Sequence, residues 1–187
     1  MPRAGLSTAA VVDAALAVID QDGLGVLTLS AVADRTGVAA PSLYKHVRNL
    51  AELRTLVGAR VLEEMTKQFT AVIVGRSGDD AVVALMHAYR RYVADHPARY
   101  AAMPMDPVHD LSLHAAGVKL LEVMLATLRG YGMEGSAAIH ATRCLRVIVH
   151  GFASIEAGGG FGLPEDLDDT YGQLIRMYLA TLSTKED

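Results

Sequence analysis

Between Thr28 and Arg48 the chain reads TLSAVADRTGVAAPSLYKHVR, and its hydrogen-bonding side chains are spaced for contact with a polyanion. Ser42, Tyr44, Lys45, His46 and Arg48 fall between and beside the apolar anchors Leu43 and Val47, so they lie off the stripe that packs inward. Lys45 suits guanine O6 and N7, and Ser42 with the Ala40/Pro41 surface suits the approach to base edges. Tyr44, His46 and Arg48 suit phosphate oxygens, contacts that position a duplex without reading its sequence. Thr28 suits the N-cap of a helix whose free N–H groups can also meet a phosphate. The competing reading of Tyr44 and His46 is packing against the preceding helix. Arg3 stands on a short N-terminal arm able to reach the DNA backbone or a minor groove.

These residues need two short helices crossing at a steep angle. The first carries Leu29, Val32 and Ala33 on one face, with Ala33 small enough for the crossing. It stops at Gly37, where the chain must reverse through a left-handed conformation that glycine adopts at no steric cost. Val38 is expected to be buried by the turn. The second helix opens at Ala40-Pro41, a place where proline's missing N–H costs nothing, and carries Leu43 and Val47. This is the grammar of a helix-turn-helix, whose second helix enters the major groove of double-stranded DNA.

The segment GVAAPSLYKHVRNLAEL resembles the recognition-helix region of the tetracycline-repressor family of transcriptional regulators, through Gly37, Val38, Leu43, Tyr44 and Val47. It departs from the family at Leu50, where many members carry a phosphate-binding Lys, and Arg48 is expected to take over that contact. The resemblance implies an all-α chain: a three-helix DNA-binding head over residues 1–48, then a helical ligand-binding and dimerisation body over 49–187. It also implies dimerisation through the last two long helices and a ligand cavity among the helices between. Val-His-Gly-Phe and Glu-Ala-Gly-Gly further resemble the C-terminal body of one branch of the family.

Composition fits a small head with a large core-forming body: 187 residues, 51% hydrophobic. The net charge of −4 is unevenly shared. Of 17 Lys/Arg and 21 Asp/Glu, residues 1–60 hold six basic (Arg3, Arg35, Lys45, Arg48, Arg54, Arg60) and five acidic (Asp13, Asp20, Asp22, Asp34, Glu52), leaving eleven and sixteen for the rest. So weakly basic a head should need a second copy for affinity, and it excludes indiscriminate coating of nucleic acid. The single cysteine, Cys144, excludes an internal disulfide framework, suits a reducing cytoplasm and is read as a core thiol within an apolar helix. The N-terminal apolar stretch is interrupted by Asp13 and reads as an amphipathic helix, and no segment is apolar enough to span a membrane.

Helical periodicity runs throughout, about nine helices with no strand pattern. Ser7 caps the first, reaching Asp22 with Val11, Ala14, Ala15, Val18 and Ile19 inward. After the helix-turn-helix, Asn49 caps a long helix to about Ile73, and Asp79 caps one to about Asp95. A short helix passes through Tyr100, and residues 103–110 form a proline-punctuated loop. The remaining helices span about Leu111 to Arg129, Gly135 to Ala157 and Glu165 to Leu182.

In the body, Leu145, Ile148, Val149, Phe152 and Ile155 form one apolar face beside small Ala141, Gly151 and Ala153, and Tyr171, Leu174, Ile175, Tyr178 and Leu179 form another. Leu145, Val149, Phe152, Leu174, Ile175 and Tyr178 are the expected seam of a two-fold four-helix bundle, His150 lying beside it; burial of these faces within one monomer is the alternative. Met86, Tyr89, Tyr92, Met103, Met105, Leu121, Met124, His140 and Arg143 are candidates to line an effector cavity, with plain core as the competing reading. His140 and Arg143 would favour an anionic or hydrogen-bond-accepting ligand.

The remaining histidines are scattered without the spacing of a helical metal site, and Asp106-Pro107-Val108-His109-Asp110 lacks a second cluster in register, so no metal and no cofactor are expected. No phosphate loop, nucleophile triad or carboxylate pair marks an enzyme. The expectation is a cytoplasmic, homodimeric, ligand-responsive regulator, a repressor by the habit of the family it resembles. Its partners would be a palindromic double-stranded operator, a second copy of itself and a small-molecule effector, with no membrane. The alternative is a small-molecule-binding or enzymatic helical bundle with a vestigial head.

Overall fold

The computed structural model describes residues 6–183. Nine α-helices occur among them: α1 Thr8–Asp22, α2 Leu29–Thr36, α3 Ala40–Leu43, α4 Leu50–Ile73, α5 Gly78–Asp95, α6 Pro97–Ala101, α7 His114–Leu128, α8 Gly135–Ala157 and α9 Leu167–Ser183. Single 3-10 turns at Leu24–Val26 and Arg129–Tyr131 complete the helical inventory. Arg3 lies outside the described residues.

Local chemistry sets most helix ends. The Ser7 hydroxyl accepts from the Ala10 N–H and opens α1, and the Asn49 side chain accepts from the Glu52 N–H and opens α4. Some ends differ from expectation. α5 begins with Gly78 after Ser77, leaving Asp79 inside the first turn, where its carboxylate accepts from the Tyr131 hydroxyl instead of capping. α7 begins at His114, because Asp110 folds residues 110–112 into a local turn by accepting the Ser112 N–H.

The chain forms two compact units. The first contains residues 6–64 and Ala98–Gly117; the second contains Met65–Pro97 and residues 118–183.

In the first unit, Val11, Val12, Ala15, Leu16, Val18 and Ile19 of α1 pack with Leu27, Val32, Ala33, Leu43, Val47, Leu53, Val57 and Val61. Each fully buried Val, Leu or Ile of this set contributes about 1.5–3 kcal/mol before chain entropy is subtracted. Arg99 fastens α6 to this core, its guanidinium gripping both carboxylate oxygens of Asp20 on α1 and meeting Glu64 on α4 at 3.1 Å. The hydrogen bonds to Asp20 hold the Arg99 guanidinium above its ordinary pKa.

In the second unit α5, α8 and α9 pack together. Tyr171 and Tyr178 of α9 are buried, and each hydroxyl donates to a helix carbonyl: Tyr171 to Met86 at 2.7 Å and Tyr178 to Ala141 at 2.9 Å. Burial raises both phenol pKa values. Gly130 meets the backbone of Gly78 so closely that a Cβ on Gly130 would stand 2.7 Å from the Gly78 nitrogen. Only glycine allows α5 to start there.

Candidate nucleic-acid interface

The candidate reading surface is built by a turn. Ala33 and Val32 of α2 are buried, and the Thr28 hydroxyl caps the helix by accepting the Ala31 N–H at 3.1 Å. At its other end Gly37 adopts φ +67°, the Gly37 N–H donates to Asp34 and the Val38 N–H to Ala33 at 3.1 Å. That pair of bonds is a Schellman closure, which satisfies carbonyls left over at the helix end and reverses the chain. Val38 is half-buried rather than enclosed, because the closure is made by its backbone and leaves the side chain at the edge of the turn.

α3 is shorter than the sequence suggests. Regular α-helix ends at Leu43, and turns carry the chain to Val47, whose N–H still donates to the Leu43 carbonyl at 3.0 Å. The next helical bond would run from the Arg48 N–H to Tyr44, but that N–H donates to the Glu52 carboxylate instead. Leu43 and Val47 are both buried as expected. The Thr8 hydroxyl reaches the His46 carbonyl at 3.4 Å and ties the end of this segment to α1.

Around these anchors the candidate residues separate. Tyr44 is 59% exposed, and Thr28, Pro41, Lys45 and Arg48 are exposed with it. Tyr44 therefore projects outward and does not pack against the preceding helix. Ala40, Ser42 and His46 are half-buried. The Arg48 side chain, 83% exposed, is paired with Glu52, its Nε and Nη2 each 3.1 Å from Oε1. This pairing raises the Arg48 pKa and, through the side-chain hydrogen bond first, lowers that of Glu52. To meet a phosphate, Arg48 must exchange this partner.

Glu52 escaped the sequence reading, although its signal is present: Asn49 followed three residues later by Glu is the spacing of a capping box. Here the carboxylate reaches back one residue further than usual, to Arg48.

The body residues expected in functional roles are distributed differently. Leu145, Val149, Phe152, Ile175 and Tyr178, the expected seam, are buried within the chain's own second unit, and only Leu174 stays half-exposed. Arg90 of α5 explains part of this inversion. Its guanidinium lies 4.9 Å from the centroid of the Phe152 ring and 4.8 Å from that of Tyr171, while gripping Glu156 at 2.6 Å and Asp168 at 2.7 Å. The outward face of α8 instead carries Cys144, Val147 (71% exposed) and Ile155, with Ile148 and Gly151 half-exposed, and that of α9 carries Met177. Cys144 is thus an exposed thiol rather than a core one.

Among the cavity candidates, Met86, Tyr89, Tyr92 and Met124 are buried in the second unit, and Leu121 is half-buried there. His140 and Arg143 are exposed on α8, because the helix turns Ala141 and Thr142 inward beside them. Met103 and Met105 belong to the first unit, and Met105 is exposed. These four residues do not join the buried set. Among the described residues no cluster of three or more potential metal ligands occurs, and no helix is long and apolar enough to cross a membrane.

Comparison with known proteins gives this geometry its context. Residues 11–54 match the family model of bacterial regulatory proteins, tetR family, and residues 82–178 match the tetracyclin repressor-like C-terminal domain. The chain is 33% identical over 183 residues to the uncharacterized HTH-type transcriptional regulator YobS of Bacillus subtilis, covering 97% of this chain and 95% of that protein. It is 35% identical over 171 residues to the uncharacterized HTH-type transcriptional regulator Rv0681 of Mycobacterium tuberculosis, covering 88% and 75%. In fold it is similar to apo ActR of Streptomyces coelicolor, with TM-score 0.73 and 22% identity over 97% of this chain and 96% of that one. The exposed Tyr44–Lys45 surface therefore sits in the segment matched by the family's DNA-binding model, and the chain belongs to the tetracycline-repressor family of transcriptional regulators, DNA-binding proteins rather than enzymes.

Proposed function

We propose that the chain acts as a homodimeric repressor in the cytoplasm, binding a palindromic operator with two heads and releasing it when a small-molecule effector binds. The observation that carries this reading is the exposed Tyr44–Lys45 pair, held between the Gly37 reversal and the Asn49 cap. Lys45 would read a base edge in the major groove, Tyr44 and Thr28 would hold phosphates, and half-sites would lie about one helical turn apart.

The outward stripes of α8 and α9 support the dimer. Val147, Ile148 and Ile155 beside Leu174 and Met177 leave apolar side chains facing outward, and Gly151 lets a second helix come close. Two copies related by a two-fold axis would bury this surface as a four-helix bundle. The partner face is thus one side of α8 and α9, while the opposite side serves the chain's own core.

Support for an effector comes from the family and from ActR, which has also been crystallised in complex with (S)-DNPA. Met86, Tyr89, Leu121 and Met124 are the residues we assign to such a pocket here. Because Met86 and Tyr89 are tightly packed, the effector would favour a body conformation in which this core has opened. Release then requires the effector to bind that conformation more tightly than the DNA-competent one.

Selection of bound fragments from the source genome by the purified protein, at two salt concentrations, tests the reading. A recovered palindrome is expected, and unselective binding by a folded dimer at both salts would overturn it.

A further inference from the structure

The first unit contains a groove of about 360 Å³ lined by Leu24, Gly25, Leu27, Arg54, Val57 and Ala102. Leu27 and Val57 are buried and form its floor, while Gly25 and Arg54 stand exposed at its rim. None of the residues assigned to the body pocket takes part.

Arg54 is the informative member. Five arginines occur among the described residues of this unit, and four are engaged: Arg35 by Gln21, Arg48 by Glu52, Arg60 by Asp13, and Arg99 by Asp20 and Glu64. Arg54 has no hydrogen-bond or ion-pair partner among the described residues. An unpaired arginine at the rim of an apolar groove is complementary to a molecule with one anionic end and one apolar end. A planar carboxylate matches its two-pronged donor geometry. A volume of about 360 Å³ is near the small end of ligand sites and suits an apolar body of roughly eight to ten carbons. A DNA phosphate would satisfy the charge but would leave the apolar floor unused.

We infer that this groove binds a small amphipathic carboxylate, in a site separate from the effector pocket assigned to the body. Occupancy bears on the DNA-reading surface through the chain itself. Leu27 of the floor immediately precedes Thr28, the cap of α2, and Arg54 and Val57 lie on the first turns of α4, which Asn49 and Glu52 anchor to the end of the reading segment.

The test uses the full-length protein, ¹⁵N-labelled, titrated with octanoate and separately with octan-1-ol. Octanoate is expected to shift the amide signals of residues 24–28 and 54–58, and octan-1-ol to bind at least about tenfold more weakly. Arg54→Gln should lose a similar factor for octanoate alone. Gly25→Leu should weaken both probes by filling the groove, since a Cβ there meets nothing within 4 Å and the fold is retained. Absence of binding at millimolar octanoate, shifts confined to the second unit, or equal affinity in Arg54→Gln would each overturn the inference. So would loss of DNA binding by Arg54→Gln without octanoate, which would assign the guanidinium to the DNA backbone. The titrations need no operator, so they can succeed or fail independently of the repressor reading.

Discussion

The carboxylate of Glu52 binds Arg48 twice, accepting its backbone N–H through one oxygen and its guanidinium through the other at 3.1 Å. One side chain thus ends the candidate reading segment, supports the start of α4 and engages Arg48, the cation expected from the sequence to meet a phosphate. Replacing Glu52 by Gln should free Arg48 and steepen the logarithmic salt dependence of operator binding by about one, read by fluorescence anisotropy across salt concentrations. The pH dependence has a definite sign. Because the folded-state pKa of Glu52 is lowered, its stabilisation is present above the ordinary carboxylate value and is lost as pH falls through the lowered one. Thermal melts of wild type and Glu52→Gln should therefore converge only in acid.

Tyr44 and Lys45 should separate by kind of contact. Lys45→Ala is expected to cost about 1–3 kcal/mol of operator binding and to relax preference at one base position. Tyr44→Ala should weaken all sequences alike, as a phosphate contact does. Binding to a panel of singly substituted operators measures both, with sedimentation confirming that assembly is unchanged. Wild-type affinity in both variants would remove the proposed reading surface.

The two faces of α8 predict opposite failures. Val147→Asp, on the outward stripe, should give folded monomers on a sizing column. Val149→Asp should instead reduce the folded fraction, because the carboxylate would enter a fully buried site. Folded monomers from Val149→Asp together with an intact Val147→Asp dimer would restore the seam expected from the sequence.

Arg90 and its two carboxylates should contribute unequally. Arg90→Met removes the partner of half-buried Glu156 and should cost about 2–4 kcal/mol, seen in urea denaturation. Asp168→Asn should cost less than about 1 kcal/mol, because the Asp168 side chain is 85% exposed and its pairing is solvent-screened.

Much of the fold was legible from short-range signals. Ser7, Thr28, Gly37 and Asn49 mark helix ends through bonds made within three to five residues, and α8 runs from Gly135 to Ala157 as its flanking glycines indicate. The reading segment belongs to the same class. Its turn geometry and two apolar anchors are local, so the outward placement of Tyr44 and Lys45 was legible, while the half-burial of Ser42 and His46 was not.

What spacing could not decide was which apolar face of a two-faced helix turns inward. Along α8, Val149 and Phe152 compete with Val147 and Ile155, and both stripes are apolar at helical period. The choice was made by side chains distant in sequence: Arg90 of α5 over the Phe152 and Tyr171 rings, and the Tyr178 hydroxyl on the Ala141 carbonyl. The same rotation carries His140, Arg143 and Cys144 to the surface. The sequence by itself determined most helix ends and the reversal at Gly37, because those bonds are local. Only the tertiary structure decided which side of each body helix is core, because burial depends on partners that no short-range pattern identifies.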